Sequence, residues 1–212
     1  MCKKTKSQLM AMLVLGLLVF GAIFNLQAIP VVSAGSLDPS EEESLLFVRE
    51  EEKMARDTYL TLYGKWGLNP FSGISNSEQH HMDAILNLLN KYGIPDPASH
   101  QIGDFKNTVL QGYYDWLIAW GLQSKTDAFL VGCYVEELDI LDLTTRLQTI
   151  DNTDIRNVFQ NLISGSENHL RAYVSNYERI SGETYEPVLL DQAYYDQIIS
   201  GSSGCGWTGR RH

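Results

Sequence analysis

Apolar residues recur along this chain at alternating intervals of three and four, the spacing that keeps one stripe of an α-helix turned towards a partner. The first stripe reads Leu45, Val48, Glu52, Ala55, Tyr59, Leu62 and Trp66, and it follows Glu41-Glu42-Glu43, acids suited to a helix N-terminus. Gly67-Leu68-Asn69-Pro70 interrupts the pattern, which restarts as Ile74, Glu78, His81, Ile85, Leu88 and Tyr92 and stops at Gly93 through Pro97. Behind Ser124, a plausible N-cap, a third stripe runs through Phe129, Cys133, Glu136, Ile140, Leu143 and Leu147. The last opens near Asp151 or Thr153 and holds Ile155, Phe159, Leu162, Ser166, His169, Tyr173, Asn176 and Ile180. Between the second and third stripes, Phe105, Val109, Tyr113, Trp116, Leu117 and Trp120 predict short helices in a long crossover. Strand-like alternation of useful length is missing, and no repeat on the order of 20 to 50 residues recurs. The expected class is all-α: a bundle of four main helices with a long connection between the second and the third.

The two ends of the chain read differently. Lys3, Lys4 and Lys6 precede an unbroken apolar run from Met10 to Phe24, and Val32-Ser33-Ala34 resembles a small-residue cleavage site. Residues 1–34 are therefore expected to be a signal peptide or, since apolar character continues to Val32, an N-terminal membrane anchor. Either role puts residues 41–200, the helical domain, in a secreted or extracytoplasmic location. Residues 201–212 form a Gly/Ser-rich tail expected to be flexible.

Charge narrows the partners. The net charge is -10, and because the first 34 residues hold three lysines and no acid, the rest carries 13 basic against 26 acidic residues. Such a body repels phosphate backbones and anionic lipid, which argues against nucleic acid and in favour of cations. Cys2, Cys133 and Cys205 form no Cys-x-x-Cys pair, so a thiolate metal centre has no support. Cys133 and Cys205 are left as either a disulfide or two separate thiols.

Each of the four stripes contains a metal-capable side chain where a hydrophobe would ordinarily sit: Glu52, Glu78 with His81, Glu136, and His169. A carboxylate in a helical core is costly unless protonated, paired or bound to a cation. In Glu78-x-x-His81 the two residues share one helix face, within reach of a single ion. Ferritin-like carboxylate bundles use that motif together with single glutamates from other helices. Plain readings exist for each residue. Glu52 and Arg56 can form a surface pair, His169 can be a hydrogen-bonded histidine, and His80 and His100 are expected to face solvent. Glu137 lies on the neighbouring face with Leu130, Tyr134 and Leu141, and periodicity does not separate it from Glu136.

Four segments carry a resemblance: Arg49-Glu50-Glu51-Glu52-Lys53-Met54-Ala55-Arg56-Asp57, Ser77-Glu78-Gln79-His80-His81-Met82-Asp83, Glu136-Glu137-Leu138-Asp139-Ile140 and Asn168-His169-Leu170-Arg171-Ala172. Over about residues 41 to 200 the chain resembles the ferritin-like family catalogued as domain of unknown function 2202, and more distantly the rubrerythrins. That resemblance implies a ferritin-like four-helix bundle holding one or two ions of iron, or manganese or zinc. It implies carboxylate ligands at Glu52 and Glu136, a bridge at Glu78, nitrogen ligands at His81 and His169, and Asp139 as an accessory. The pattern departs from a standard di-iron site in the last helix, where Ser166-x-x-His169 replaces Glu-x-x-His, and Asp139 or Glu167 are the candidates to compensate. Oxidase, peroxidase and storage roles are all compatible, Tyr59 and Tyr173 are candidates for redox or hydrogen-bonding roles, and a homodimer is expected by analogy. The competing expectation is a non-catalytic envelope scaffold whose polar groups satisfy one another.

Overall fold

The computed structural model describes residues 37–201, so the expected export segment and the tail from 202 onward lie outside the described residues. Six helices follow in order: α1 Pro39–Trp66, α2 Asn69–Tyr92, α3 Thr108–Gly121, α4 Lys125–Arg146, α5 Thr153–Ser181 and α6 Gln192–Ile199. No strand occurs among the described residues.

Local chemistry sets the helix ends. Asp38 caps α1, accepting from the Ser40 and Glu41 amides while Glu41 reaches back to the Asp38 amide, so the helix starts two residues before the glutamate run. Gly67, Gly93 and Gly182 close α1, α2 and α5 with positive φ (62°, 71° and 70°), a backbone region that favours glycine. Ser124 and Asn152 cap α4 and α5. The crossover, expected as short helices, contains one helix, α3, capped by Asn107. Helix α6 follows Asp191 as its cap, where no helix was expected.

Helix α1 packs on α2, α3 and α4; α5 packs on α4 and α2; α3 also packs on α4. The four long helices thus meet in a ring, α1–α2–α5–α4, with α2 and α4 at opposite corners. Along the ring the core is layered. One end is aliphatic apart from Phe159: Leu45, Val48, Ile85, Leu88, Leu89, Leu143, Ile150, Ile155, Phe159 and Leu162. At the other end Tyr59, Phe71, Phe129 and Tyr173 stack with ring centroids 5.1–6.0 Å apart. Each buried Leu, Ile or Phe contributes roughly 1.5–3 kcal/mol, so the two apolar layers clamp the polar level between them. Every ring helix contributes to both layers in an order that makes ring neighbours antiparallel and α2 parallel to α4. A parallel pair is what the long crossover has to join.

Most predicted stripe positions are buried, with departures at the ends: Trp66, Tyr92, Leu147 and Asn176 are half-buried and Ile180 is 40% exposed. Val109 of the crossover is 54% exposed. Helix α1 is the larger departure. From Val48 to Tyr59 every residue except Arg56 is buried, including Arg49, Glu50, Glu51, Lys53 and Asp57. The face a plain bundle would leave in water is covered by α3 and by residues 94–107. Lys53 Nζ donates to Asp57 Oδ2 and to the carbonyls of Gln101 and Asp104, and lies 4.2 Å from the Phe105 ring centroid. Glu50 accepts from the Lys106 and Asn107 amides, and Arg49 pairs with Asp96 at 2.8 Å.

Candidate metal centre

Five of the six predicted ligands converge between the two apolar layers. Helix α1 supplies Glu52, α2 supplies Glu78 and His81, α4 supplies Glu136, and α5 supplies His169; all are at most 9% exposed. Two sets of ligand atoms form, Glu52–Glu78–His81 and Glu78–Glu136–His169, each with its atoms within 4.8 Å of one another. Glu78 belongs to both because its two oxygens divide. Oε2 lies 2.8 Å from His81 Nδ1, and Oε1 lies 2.8 Å from His169 Nδ1. Glu52 Oε2 approaches His81 Nδ1 at 3.2 Å, and Glu136 Oε2 approaches His169 Nδ1 at 3.4 Å. The arrangement is nearly symmetric: carboxylate, imidazole, shared carboxylate, imidazole, carboxylate. The imidazole rings stack with centroids 5.5 Å apart.

Several of these atoms lack partners. Glu52 Oε1, Glu78 Oε1, His169 Nδ1 and the adjacent Asp139 Oδ1 are buried without a hydrogen bond. Glu78 Oε1 and His169 Nδ1 are close, yet their alignment does not make them donor and acceptor. Two ligand atoms about 2.1 Å from one ion and at right angles stand about 3.0 Å apart, close to the separations seen.

The field divides the acids. Burial drives Glu52 up to about 7 against the pull of His81. Burial acts on Glu78 in the same direction, but the imidazoles of His169 and His81, each 2.8 Å from one of its oxygens, outweigh it and hold Glu78 at about 2. Burial raises Glu136 despite His169, and raises Asp139 further, with Glu52 adding to the effect. Desolvation opposes charge on both imidazoles, yet Glu52 takes His81 to about 12 and Glu136 takes His169 to about 10. Without a cation the acids and imidazoles therefore hold protons between them.

Neighbouring side chains fix the site. Tyr59 Oη donates to Glu136 Oε1 at 2.5 Å, and His169 Nε2 meets Ser77 Oγ at 2.9 Å. A methyl at Gly165 would sit 2.5 Å from His81 Nε2, and one at Gly132 would sit 2.6 Å from the Tyr173 ring, so both helices need glycine there. Asp139 stands beside the five rather than among them. Its Oδ2 accepts from Ser166 Oγ at 2.5 Å and its Oδ1 is bare. Glu167 instead accepts from Tyr194 Oη, and Arg56 pairs with Asp57 and Gln79, which removes the Glu52–Arg56 surface reading. His80 and His100 are exposed as expected. Cys133 is buried, and its proposed partner Cys205 lies outside the described residues.

Sequence reasoning passed over Ser77, Gly165 and Glu51. Glycine inside a long helix was the available signal for Gly165, because it costs about 1 kcal/mol relative to alanine and implies a close approach. Nothing in the pattern marked Glu51, a buried acid whose Oε2 has no partner.

A family model described as an uncharacterized protein domain (DUF2202) matches residues 41–202. The chain is 45% identical over 174 residues to the uncharacterized protein MJ0754 of Methanocaldococcus jannaschii, spanning 80% of this chain and 92% of that one. The crystal structure of hypothetical protein MJ0754 from the same organism matches with a TM-score of 0.76 and 43% identity, covering 82% of this chain and 98% of that chain.

Proposed function

The chain belongs to the family of uncharacterized domains designated DUF2202, and from that premise we propose that it is a ferritin-like metal protein with a redox role. Glu52, Glu78 and His81 would hold one divalent ion, and Glu78, Glu136 and His169 a second. The ring of four long helices and the helical crossover joining parallel α2 and α4 support the ferritin-like reading. What carries the metal reading is the meeting of buried ligand atoms from four helices in two sets, with Glu52 Oε1 and the adjacent Asp139 Oδ1 left without a hydrogen bond. A hydrogen-bonded scaffold would have satisfied them.

The donor set fits iron or manganese, with zinc compatible. Four carboxylates, Glu52, Glu78, Glu136 and Asp139, balance two divalent ions in a site that is buried but for slight exposure of the two imidazoles. Bound iron or manganese supplies one-electron chemistry towards dioxygen or peroxide. The protein's own part is to orient and to move protons. Tyr59 holds Glu136 in place and offers it a proton, Ser77 fixes the His169 ring, and the bare Oδ1 of Asp139 offers a further carboxylate oxygen. Export through the lysine-led apolar segment fits a protein that meets oxidants outside the cytoplasm.

Metal content decides the matter. The full chain, purified without chelator, is assayed by mass spectrometry for iron, manganese and zinc beside a Glu78→Ala, His81→Ala double variant of matching helical content. The expected result is one or two ions per wild-type chain and a drop of about tenfold or more in the variant. Equal metal in the two, or none in a wild type reconstituted with iron, manganese or zinc, overturns the reading.

A further inference from the structure

Glu51 is a buried acid that the centre does not use. It precedes the ligand Glu52 on α1, is 3% exposed, and its Oε2 has no hydrogen-bond partner. Two more buried carboxylate oxygens are bare, Glu52 Oε1 and Asp139 Oδ1. Such oxygens are costly unless they hold a proton or receive a cation.

Contacts between α1 and α4 fix the register in which these acids meet. Arg146 Nη1 reaches Glu43 Oε2 at 3.0 Å and Ser44 Oγ at 3.2 Å, and its guanidinium lies 4.2 Å from the Phe47 ring centroid. Its Nε pairs with Asp142 Oδ2 at 2.5 Å. The two helices run antiparallel. Glu51 follows Phe47 by four residues and Asp139 precedes Asp142 by three, so one turn further in the same two faces bring Glu51 opposite Asp139. Asp139 is bonded across the core to Ser166 of α5, which places it at the inner end. Burial raises the Glu51 carboxyl, and Asp142, Asp139 and Glu52 raise it further.

A cation bound for the centre meets different chemistry on each side. The aliphatic and aromatic layers close the two ends, where an ion would lose its water without replacement. On the α2–α5 side His169 Nε2 is tied to Ser77 and Gly165 lies against His81 Nε2, so uncharged groups close that edge. The α1–α4 side offers carboxylates in succession, from Asp142, whose side chain is 25% exposed, through Glu51 and Asp139 to Glu52. Among the described residues their oxygens do not gather within 4.8 Å as the two ligand sets do, which suits passage rather than retention.

We propose that Asp142, Glu51 and Asp139 form the route by which a divalent cation enters the centre between α1 and α4. The route rests on the metal reading above. Arg146 is the resident cation at the mouth, shared by Asp142 and Glu43, and an arriving ion takes its place at Asp142. Carboxylate oxygens then replace waters of the ion's shell in turn, Glu51 Oε2 first and Asp139 Oδ1 next, until Glu52 and Glu78 hold it. Glu51 is not a final ligand. Its loss therefore changes the rate of exchange and leaves affinity in place.

The experiment compares metal-free full chain with Glu51→Gln and Asp142→Asn, each of matching helical content. Cobalt(II) is added in a stopped-flow cell and its visible absorption is followed during loading, then during release to a chelator. Loading should slow about tenfold in each variant, the scale of a lost electrostatic approach. Release should slow by the same factor, with the number of ions bound and their affinity unchanged, because a route serves both directions. Wild-type rates in both variants overturn the route. Faster release with lower affinity overturns it as well, since that marks Glu51 and Asp142 as ligands. A wild type that takes up no metal strikes the metal reading and the route together, whereas uptake at one rate in all three proteins strikes the route alone.

Discussion

Glu136 and Glu137 are neighbours on α4, both buried, and their environments are opposite. Glu137 accepts from the Val188, Leu189 and Leu190 amides at 2.6–2.9 Å and from Tyr185 Oη. Glu50 and Glu41 do the same for loops, accepting from Lys106 and Asn107 and from Asp151 and Asn152. Among these anchors the charge is answered by peptide dipoles, and loop ends gain a fixed attachment. In the central cluster no backbone amide reaches Glu52, Glu78 or Glu136; each faces imidazole, tyrosine or nothing. Burial of an acid is therefore no sign of a site. Several buried acids that meet imidazoles, with no amide to answer them, are.

That contrast breaks most visibly where a buried charge loses its partner. Lys53→Ala should cost about 3–4 kcal/mol in urea unfolding, since the carbonyls of Gln101 and Asp104 lose their donor and buried Asp57 is left with only Arg56 and the Gly103 amide. Glu137→Ala follows at about 3 kcal/mol, because three backbone amides and Tyr185 lose their acceptor, while metal content stays at the wild-type level. Glu136→Gln sharpens the comparison by separating the two readouts. In metal-free protein the amide oxygen still accepts from Tyr59 and His169 still faces Glu78, so stability changes by no more than about 1 kcal/mol in the same titration, whereas metal content falls.

The smallest effect is read with pH. In metal-free protein Glu52 is raised to about 7, and its contribution, present below the ordinary carboxylate value, is lost as pH rises through 7. His81 and His169, raised to about 12 and about 10, contribute fully below the ordinary histidine value and lose that contribution as pH climbs towards those values. Glu78, held at about 2, acts only in acid, losing its contribution as pH falls through that value. The melting midpoint of metal-free protein should therefore drop by on the order of 5 °C from pH 5 to pH 8. Metal replaces the protons and should remove the slope. A metal-free midpoint that rises over this range would refute the protonated cluster.

Much of this was legible from residue order. Four stripes located four long helices, and Ser124 showed where α4 begins. The polar interruptions at Glu52, Glu78, His81, Glu136 and His169 picked out the residues that converge. Helix α6 was missed because its eight residues are too few to show a period, and α1 was read as one-sided although α3 and residues 94–107 enclose it. The separation of Glu136 from Glu137 was out of reach as well. It depends on amides about fifty residues downstream, and periodicity sees only the helix that carries both acids.

By itself the sequence determined the helices and the residues of the polar level, because helical periodicity and the cost of placing an acid on an apolar stripe are both local. Tertiary structure alone decided which buried charges are satisfied. Partners such as Ser77 for His169, Tyr59 for Glu136 and the 188–190 amides for Glu137 come from other elements, and whether they arrive depends on how the helices pack.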